Sequence, residues 1–172
     1  MASASHLIRR FVGSLRPGGP GEHAEAWVEA RLLPGEQALW RRMSGPDRRH
    51  AVAVAERVER ALGHEATRPV LAAALLHDVG KVESGLRTYG RVVATVSAKV
   101  AGPDMAPVWQ KQRGYARKVG LYLQHAEVGA DLLEMAGSDP LTVAWTREHH
   151  RPESEWTVDP HIAGALKTAD DD

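Results

Sequence analysis

Apolar residues recur three and four positions apart along most of the chain from Glu22 onward, which is the spacing of one buried face of an α-helix. No stretch alternates apolar and polar residues in the manner of a half-buried β-strand. The pattern therefore predicts an all-α fold, in which amphipathic helices surround a common apolar core.

Turn-forming residues predict where these helices begin and end. Asp47 is expected to cap a helix over residues 47–62. A shorter and strongly apolar helix over residues 70–78 is expected to follow Pro69, because proline is well suited to a first helical position. Further helices are expected on either side of Pro34, over 89–100, over 108–117 as a basic helix or loop, around His125 after a break at Gly120, over 141–150 and after Pro160.

The length of the chain favours one domain. A chain of 172 residues with 43% hydrophobic positions can build one core but not two comfortable ones. We divide it into an amphipathic N-terminal segment with its linker, residues 1–21, and a helical domain, residues 22–172. The N-terminal segment is open to two interpretations, a helix that lies on a membrane surface and a helix that packs on the domain.

Composition narrows the chemistry and the partners. The 22 basic and 22 acidic side chains balance, so no global field attracts nucleic acid. The lack of cysteine excludes disulfides, thiolate metal sites and cysteine nucleophiles. No apolar run is long enough to cross a membrane and no secretory signal is recognisable, so we expect no transmembrane segment and a cytoplasmic location. Histidine, present nine times, and carboxylates remain as strong metal ligands.

A histidine and an aspartate stand side by side at the end of the most apolar segment, where Leu75 to Lys81 reads Leu-Leu-His-Asp-Val-Gly-Lys. Imidazole and carboxylate together are typical ligands of a divalent transition metal. Asp170 continues the apolar stripe of Ile162 and Leu166 on the last predicted helix, where a lone acid needs a partner. The candidate ligands, each on or at the end of a predicted helix, are His50, His77, Asp78, His125, His149 or His150, and Asp170.

The order of these residues, a first histidine, then His-Asp, then a distant aspartate, resembles the HD superfamily of metal-dependent phosphohydrolases. His-Asp-Val-Gly-Lys is similar to the core motif of that family, and the resemblance extends from about Arg48 to Asp170. It implies a helical bundle with the metal site in its core. By this resemblance the first metal is bound by His50, His77, Asp78 and Asp170, and a second metal by His125 with His149 or His150, between which the sequence does not choose.

The resemblance also implies the reaction. One or two divalent ions (Mn, Fe, Co, Ni, Zn or Mg) would activate water for attack on a phosphomonoester or phosphodiester of a small nucleotide-like substrate. Asp78 would bridge the ions, and Lys81 would contact the phosphate or the hydroxide. The Gly-Tyr-Pro segment typical of cyclic-di-GMP phosphodiesterases does not follow His150 here. Basic side chains expected to line the phosphate site are Arg87, Arg91, Arg113, Arg117 and Lys118.

Two alternatives to hydrolysis remain open at the level of sequence. One is a catalytically silent nucleotide sensor, which keeps the metal pocket only to bind its ligand. The other is an oxygenase of the same fold, in which a di-iron pair activates oxygen with the same types of ligand.

Overall fold

The computed structural model describes residues 18–86, 90–91, 93–95, 97 and 105–172, and no strand occurs among them. The all-α prediction is confirmed. The helices with defined bounds are α1 (Glu22–Glu29), α2 (Pro34–Arg42), α3 (Gly45–Leu62), α4 (Arg68–Leu76), α5 (Lys81–Ser84), α6 (Met105–Gln110), α7 (Gly114–Leu123), α8 (His125–Met135), α9 (Pro140–Glu148) and α10 (Pro160–Asp171). Within these described ranges, no helix is both long and apolar enough to span a bilayer.

Two predicted segments fall largely outside this description. Of the N-terminal segment 1–21, only residues 18–21 are described, so its two interpretations stay predictions. Of the helix expected over 89–100, residues 90, 91, 93–95 and 97 are helical and the others lie outside the described residues.

Helix α4 forms the centre of the main core. Every residue from Val70 to Leu76 is buried, which explains why this helix is apolar on all sides. Helices α3 and α9 pack against α4, and α10 packs against α3. A second, smaller cluster consists of Leu86, Ala94 and Val119, with Trp109, Tyr122 and Leu123 packed against it. We call this smaller group the satellite cluster.

The start of α3 differs from the sequence prediction. The helix begins at Gly45, and its N-terminal cap is Ser44, whose hydroxyl accepts a hydrogen bond from the backbone N–H of Asp47 at 3.3 Å. The prediction of Asp47 as the cap was therefore wrong, because Pro46 fits the first helical turn and moves the start upstream. Asp47 lies in the first turn, where its negative charge suits the positive end of the helix dipole.

The helix that carries Gly120 also differs from the prediction. Gly120 lies inside α7 and does not separate two helices. A Cβ atom at Gly120 would stand 2.7 Å from the Cα of Gln110 and 2.8 Å from the carbonyl oxygen of Ala106, both in α6. The glycine therefore allows α6 and α7 to approach each other closely, and the chain breaks at Gln124 instead.

Two glycines bring α8 against the turn that follows α4. A Cβ atom at Gly80 would collide with the carbonyl oxygen of His125 and stand 2.6 Å from the backbone nitrogen of Gly129. The φ angle of Gly80 is −62°, so glycine is required here for space and not for conformation. Because Gly80 follows Asp78 by two residues, this close approach places the start of α8 beside Asp78.

We predict that Gly80→Ala lowers the free energy of unfolding by about 1–3 kcal/mol, since the added methyl group forces two backbone segments apart. Urea unfolding monitored by circular dichroism measures this change. The matched control is Gly164→Ala, because a Cβ there meets nothing within 4 Å and alanine favours the helix. Equal stability of the two variants would contradict the packing argument.

Candidate metal centre

The ends of several helices bring the predicted ligands together. His77 is the C-cap of α4, and Asp78 follows it in the turn before α5. His149 is the C-cap of α9, and His125 is the first residue of α8. His50 lies in the first third of α3, while Asp170 lies in the last turn of α10. The buried members of the group are His77, Asp78, His125, His149 and Asp170.

Three of the imidazole rings are oriented in the same way. The Nδ1 atoms of His77, His125 and His149 lie 3.0, 2.7 and 2.8 Å from the carbonyl oxygens three residues earlier in the chain. Each of those carbonyls is in the last turn of a helix, where carbonyls lack the regular donor four residues later that the helix interior provides. With Nδ1–H donated to a carbonyl, Nε2 is the nitrogen of each ring that faces the site.

Two of these Nε2 atoms are fully buried and have no hydrogen-bond partner among the residues that the structure describes. They belong to His77 and His149, whose side chains are only 2% exposed. Buried polar atoms are almost always paired, because an unpaired one has lost its contact with water. A bound cation would supply the missing partner for both nitrogens, so the residues present fit a metal.

The first group of candidate ligands consists of His50, His77, Asp78 and Asp170. Asp170 Oδ1 lies 2.9 Å from His50 Nε2 and 3.5 Å from His77 Nε2. The second carboxylate of this group, that of Asp78, places its Oδ2 atom 3.5 Å from His77 Nε2. Ligand atoms of His50, His77 and Asp78 all lie within 4.8 Å of one another, which is close enough to hold one ion.

The second group consists of His125, His149 and His150, whose ligand atoms also lie within 4.8 Å of one another. The Nε2 atoms of His125 and His150 are 3.1 Å apart. Asp78 Oδ1 lies 3.2 Å from His125 Nε2 and 4.0 Å from His149 Nε2. Asp78 therefore turns one oxygen toward each group. The sequence did not choose between His149 and His150, and the structure brings both of them to the site.

The acids of the first group attract positive charge. Burial opposes a charged ring at His77, but the carboxylates of Asp78 and Asp170 raise its pKa to about 9. Burial likewise opposes the charge of Asp78, and the nearby Lys81 and His77 more than compensate and hold its pKa well below the usual range. The pKa of Asp170 is also lowered, against its burial, by His77 and by the hydrogen bond with His50. This electrostatic environment favours a cation.

The imidazoles of His149 and His150 are electrically neutral near pH 7. Burial, followed by the proximity of His77 and His150, lowers the pKa of His149 well below its ordinary value. Desolvation and the neighbouring His125 lower the pKa of His150 to about 4. Neutral rings keep the nitrogen lone pairs that a metal requires.

Lys81 places a cationic side chain directly beside Asp78. Its Nζ donates a hydrogen bond to Asp78 Oδ2, and its side chain is 15% exposed. Burial disfavours the ammonium, but Asp78, Tyr122 and Asp47 raise the pKa of Lys81 above its ordinary value, so that the group stays charged at neutral pH. The structure thus places a fixed positive charge beside Asp78.

The predicted phosphate-binding residues are less closely associated with this centre. Arg91 directs its guanidinium at Asp47, with Nη–O distances of 2.6 and 2.7 Å. Arg113, Arg117 and Lys118 are exposed at and near the start of α7, and within the described ranges none of them contacts the ligand groups. Arg87 lies outside the described residues. A role in phosphate binding stays a prediction for all of these residues.

Supporting residues of the centre escaped the sequence analysis. Arg57 donates to the carbonyl oxygen of Ala169 at 3.1 Å and so supports the last turn of α10, next to Asp170. Glu148, adjacent to His149, accepts hydrogen bonds from the backbone N–H of Thr157 at 2.7 Å and from its hydroxyl at 2.6 Å. No periodicity marks such contacts, because their partners are distant in sequence or belong to a loop.

A comparison with protein families agrees with this geometry. The model of the HD domain matches residues 48–171, a range that includes every residue of both ligand groups. No curated protein and no solved structure matched the chain. HD domains bind divalent metals and generally act as metal-dependent phosphohydrolases, although some members are not catalytic. Because the match covers well over half of its length and includes both ligand groups, the chain belongs to the HD domain family.

Proposed function

We propose that the protein is a phosphohydrolase with a dinuclear metal centre, which hydrolyses a phosphomonoester or phosphodiester of a nucleotide-like substrate. The observation that carries the proposal is the position of Asp78, whose two oxygens face two separate groups of ligands. A carboxylate in that position is suited to bridge two cations, as in enzymes that place two metals about 3.5–4 Å apart.

The ligands divide between two ions that share the bridging acid. His50, His77 and Asp170 would hold the first ion, and His125, His149 and His150 the second. When bound, divalent ions neutralise the charge of a phosphoester and lower the pKa of water from 15.7 to roughly 7. A set of imidazoles and carboxylates without thiolate suits Mn, Fe, Co, Ni or Zn, and admits Mg.

The protein's own side chains contribute orientation and charge. The Nδ1–H bonds to helix-end carbonyls hold the rings of His77, His125 and His149, so their Nε2 atoms need no reorganisation during reaction. Lys81, fixed on Asp78, presents a positive charge to a phosphate oxygen. His150 is the exposed member of the second group, and we infer that a substrate reaches the centre from its side.

For the nucleotide-like substrate class we rely on the exposed cations of the helix that precedes His125. Arg117 and Lys118 lie on α7, which ends one residue before Gln124 and so leads into the turn that presents His125. Exposed guanidinium and ammonium groups on this helix suit a phosphorylated substrate that extends from the centre along α7.

Substitution of the bridging acid tests the proposal. Asp78→Asn keeps the shape of the side chain but cannot bridge two cations, so we predict that hydrolysis falls by more than about 100-fold, beyond the 10–100-fold typical of residues that only support ligands. Phosphate release from a nucleotide panel, together with elemental analysis of protein purified without chelator, measures the effect. The control is Asp131→Asn, an acid exposed on α8.

Measurements of nucleotide binding and oxygen uptake, made beside the phosphate-release assay, separate this proposal from the two alternatives. Wild-type protein that binds nucleotides tightly but releases no phosphate with Mn, Co, Ni, Fe or Mg would indicate a silent sensor. Oxygen uptake by iron-loaded protein without phosphate release would indicate an oxygenase. Full hydrolysis by Asp78→Asn would refute the metal assignment itself.

Removal of one ligand from each group tests whether two ions are bound. We predict that His50→Ala and His149→Ala each retain about half of the wild-type metal content, because each disrupts one ligand group and leaves the other. Elemental analysis after loading with Mn²⁺ and desalting measures the content. Wild-type metal content in His149→Ala would show that the second group binds no ion.

A further inference from the structure

Arg91 and Asp47 form a partly buried ion pair close to the candidate metal centre. The Nη1 and Nη2 atoms of Arg91 donate to Oδ1 and Oδ2 of Asp47, in the parallel two-bond arrangement that gives arginine and carboxylate their strongest geometry. The two side chains are only 19% and 13% exposed. The residues are 44 positions apart in the chain, so the pair links two distant segments.

On one side, the pair fixes the first turn of α3. Asp47 is held there by Arg91 and also by the hydroxyl of Ser44, which donates to Oδ2 at 2.6 Å. His50 follows Asp47 by three residues, which places the two side chains on the same face of the helix, one turn apart. The orientation of Asp47 therefore constrains the turn from which His50 reaches Asp170.

On the other side, the pair fixes the satellite cluster. The Nε of Arg91 donates to the carbonyl oxygen of Leu86 at 3.1 Å, and its guanidinium carbon lies 6.0 Å from the ring centroid of Tyr122. Leu86 and Tyr122 both belong to the satellite cluster. The carbonyl of Tyr122 in turn accepts the Nδ1–H of His125, a ligand of the second group.

We propose that Arg91 is a positioning residue of the metal centre and not a ligand of the substrate phosphate. Its ion pair with Asp47 joins the helix turn that carries His50 to the satellite cluster that orients His125, and so sets the two ligand groups relative to each other. The proposal rests on the dinuclear hydrolase proposed above. It gives Arg91 a role different from the phosphate binding that the sequence analysis predicted for it.

The hydrogen bonding of the pair supports this assignment. Nε, Nη1 and Nη2 of Arg91 all donate within the protein, which occupies three of its five N–H groups. Turning the guanidinium toward a phosphate would leave the largely buried Asp47 carboxylate without its charged partner, and loss of that partner is unfavourable for a carboxylate that is mostly removed from water. Lys81, beside Asp78, is the better placed cation for the substrate.

A double-mutant cycle tests the proposal. Asp47→Asn, Arg91→Met and the double variant are titrated with Mn²⁺, with Arg41→Met as the control, because Arg41 of α2 forms an exposed ion pair with Glu29 of α1. We expect each single variant to bind Mn²⁺ about 10–100-fold more weakly, as for other residues that support metal ligands. The double variant should be no worse than either single one, because both changes remove the same interaction.

The KM for hydrolysis of p-nitrophenyl phosphate by the same proteins distinguishes a positioning role of Arg91 from direct binding of the substrate phosphate. At saturating Mn²⁺ we expect the KM of both single variants to return to the wild-type value. A raised KM in Arg91→Met, with Asp47→Asn unaffected, would overturn the proposal and identify Arg91 as a phosphate ligand. Additive losses of Mn²⁺ affinity in the double variant would also overturn it.

Mn²⁺ uptake by the wild-type protein distinguishes failure of the proposed function from failure of the positioning role. If wild-type protein takes up no Mn²⁺, the proposed function fails; if it does and the single variants match it, only the positioning role fails. Urea unfolding checks that the variants fold. Should Arg91→Met not fold, Arg91→Lys replaces it, since lysine keeps the charge but not the two-bond geometry. A smaller but measurable loss of Mn²⁺ affinity is then expected, and full affinity would contradict the proposal.

Discussion

The structure of the centre depends on one buried carboxylate. Asp78 is 5% exposed and remains ionised because Lys81, His77 and His125 surround it with positive charge and donors. An isolated acid in this position would be strongly destabilising, since burial removes the water that stabilises its charge. Each neighbour of Asp78 is therefore required for more than packing, and a pair of cations on either side of it would satisfy the same need.

The helical architecture supplies those neighbours through the ends of its helices. A helix leaves its last carbonyls without intrahelical donors, and His77 and His149 use such carbonyls to fix their rings. His125 does the same with the end of α7. Gly80 then lets α8 approach the turn after α4 closely enough for His125 to reach Asp78. The centre is thus a consequence of where helices stop, and of one glycine that leaves room for backbone.

Much of this arrangement could be predicted from sequence, and the exceptions have physical reasons. The period of apolar residues predicted the all-α fold, and the histidines and acids on apolar faces predicted the ligands that the structure brings together. Asp47 was misjudged as a cap because Ser44 and Pro46 compete for the same helix start. The pairing of Asp47 with Arg91 was missed because it depends on tertiary contact between segments 44 residues apart, which leaves no local pattern.

Anomalous diffraction from crystals of the wild-type protein grown with Mn²⁺ would locate bound ions directly. A dinuclear centre bridged by Asp78 should give two anomalous peaks about 3.5–4 Å apart, on opposite sides of the Asp78 carboxylate. One peak should lie beside His50, His77 and Asp170, and the other beside His125, His149 and His150. The absence of any peak at Asp78, or Mn²⁺ bound only at sites remote from these residues, would contradict the account.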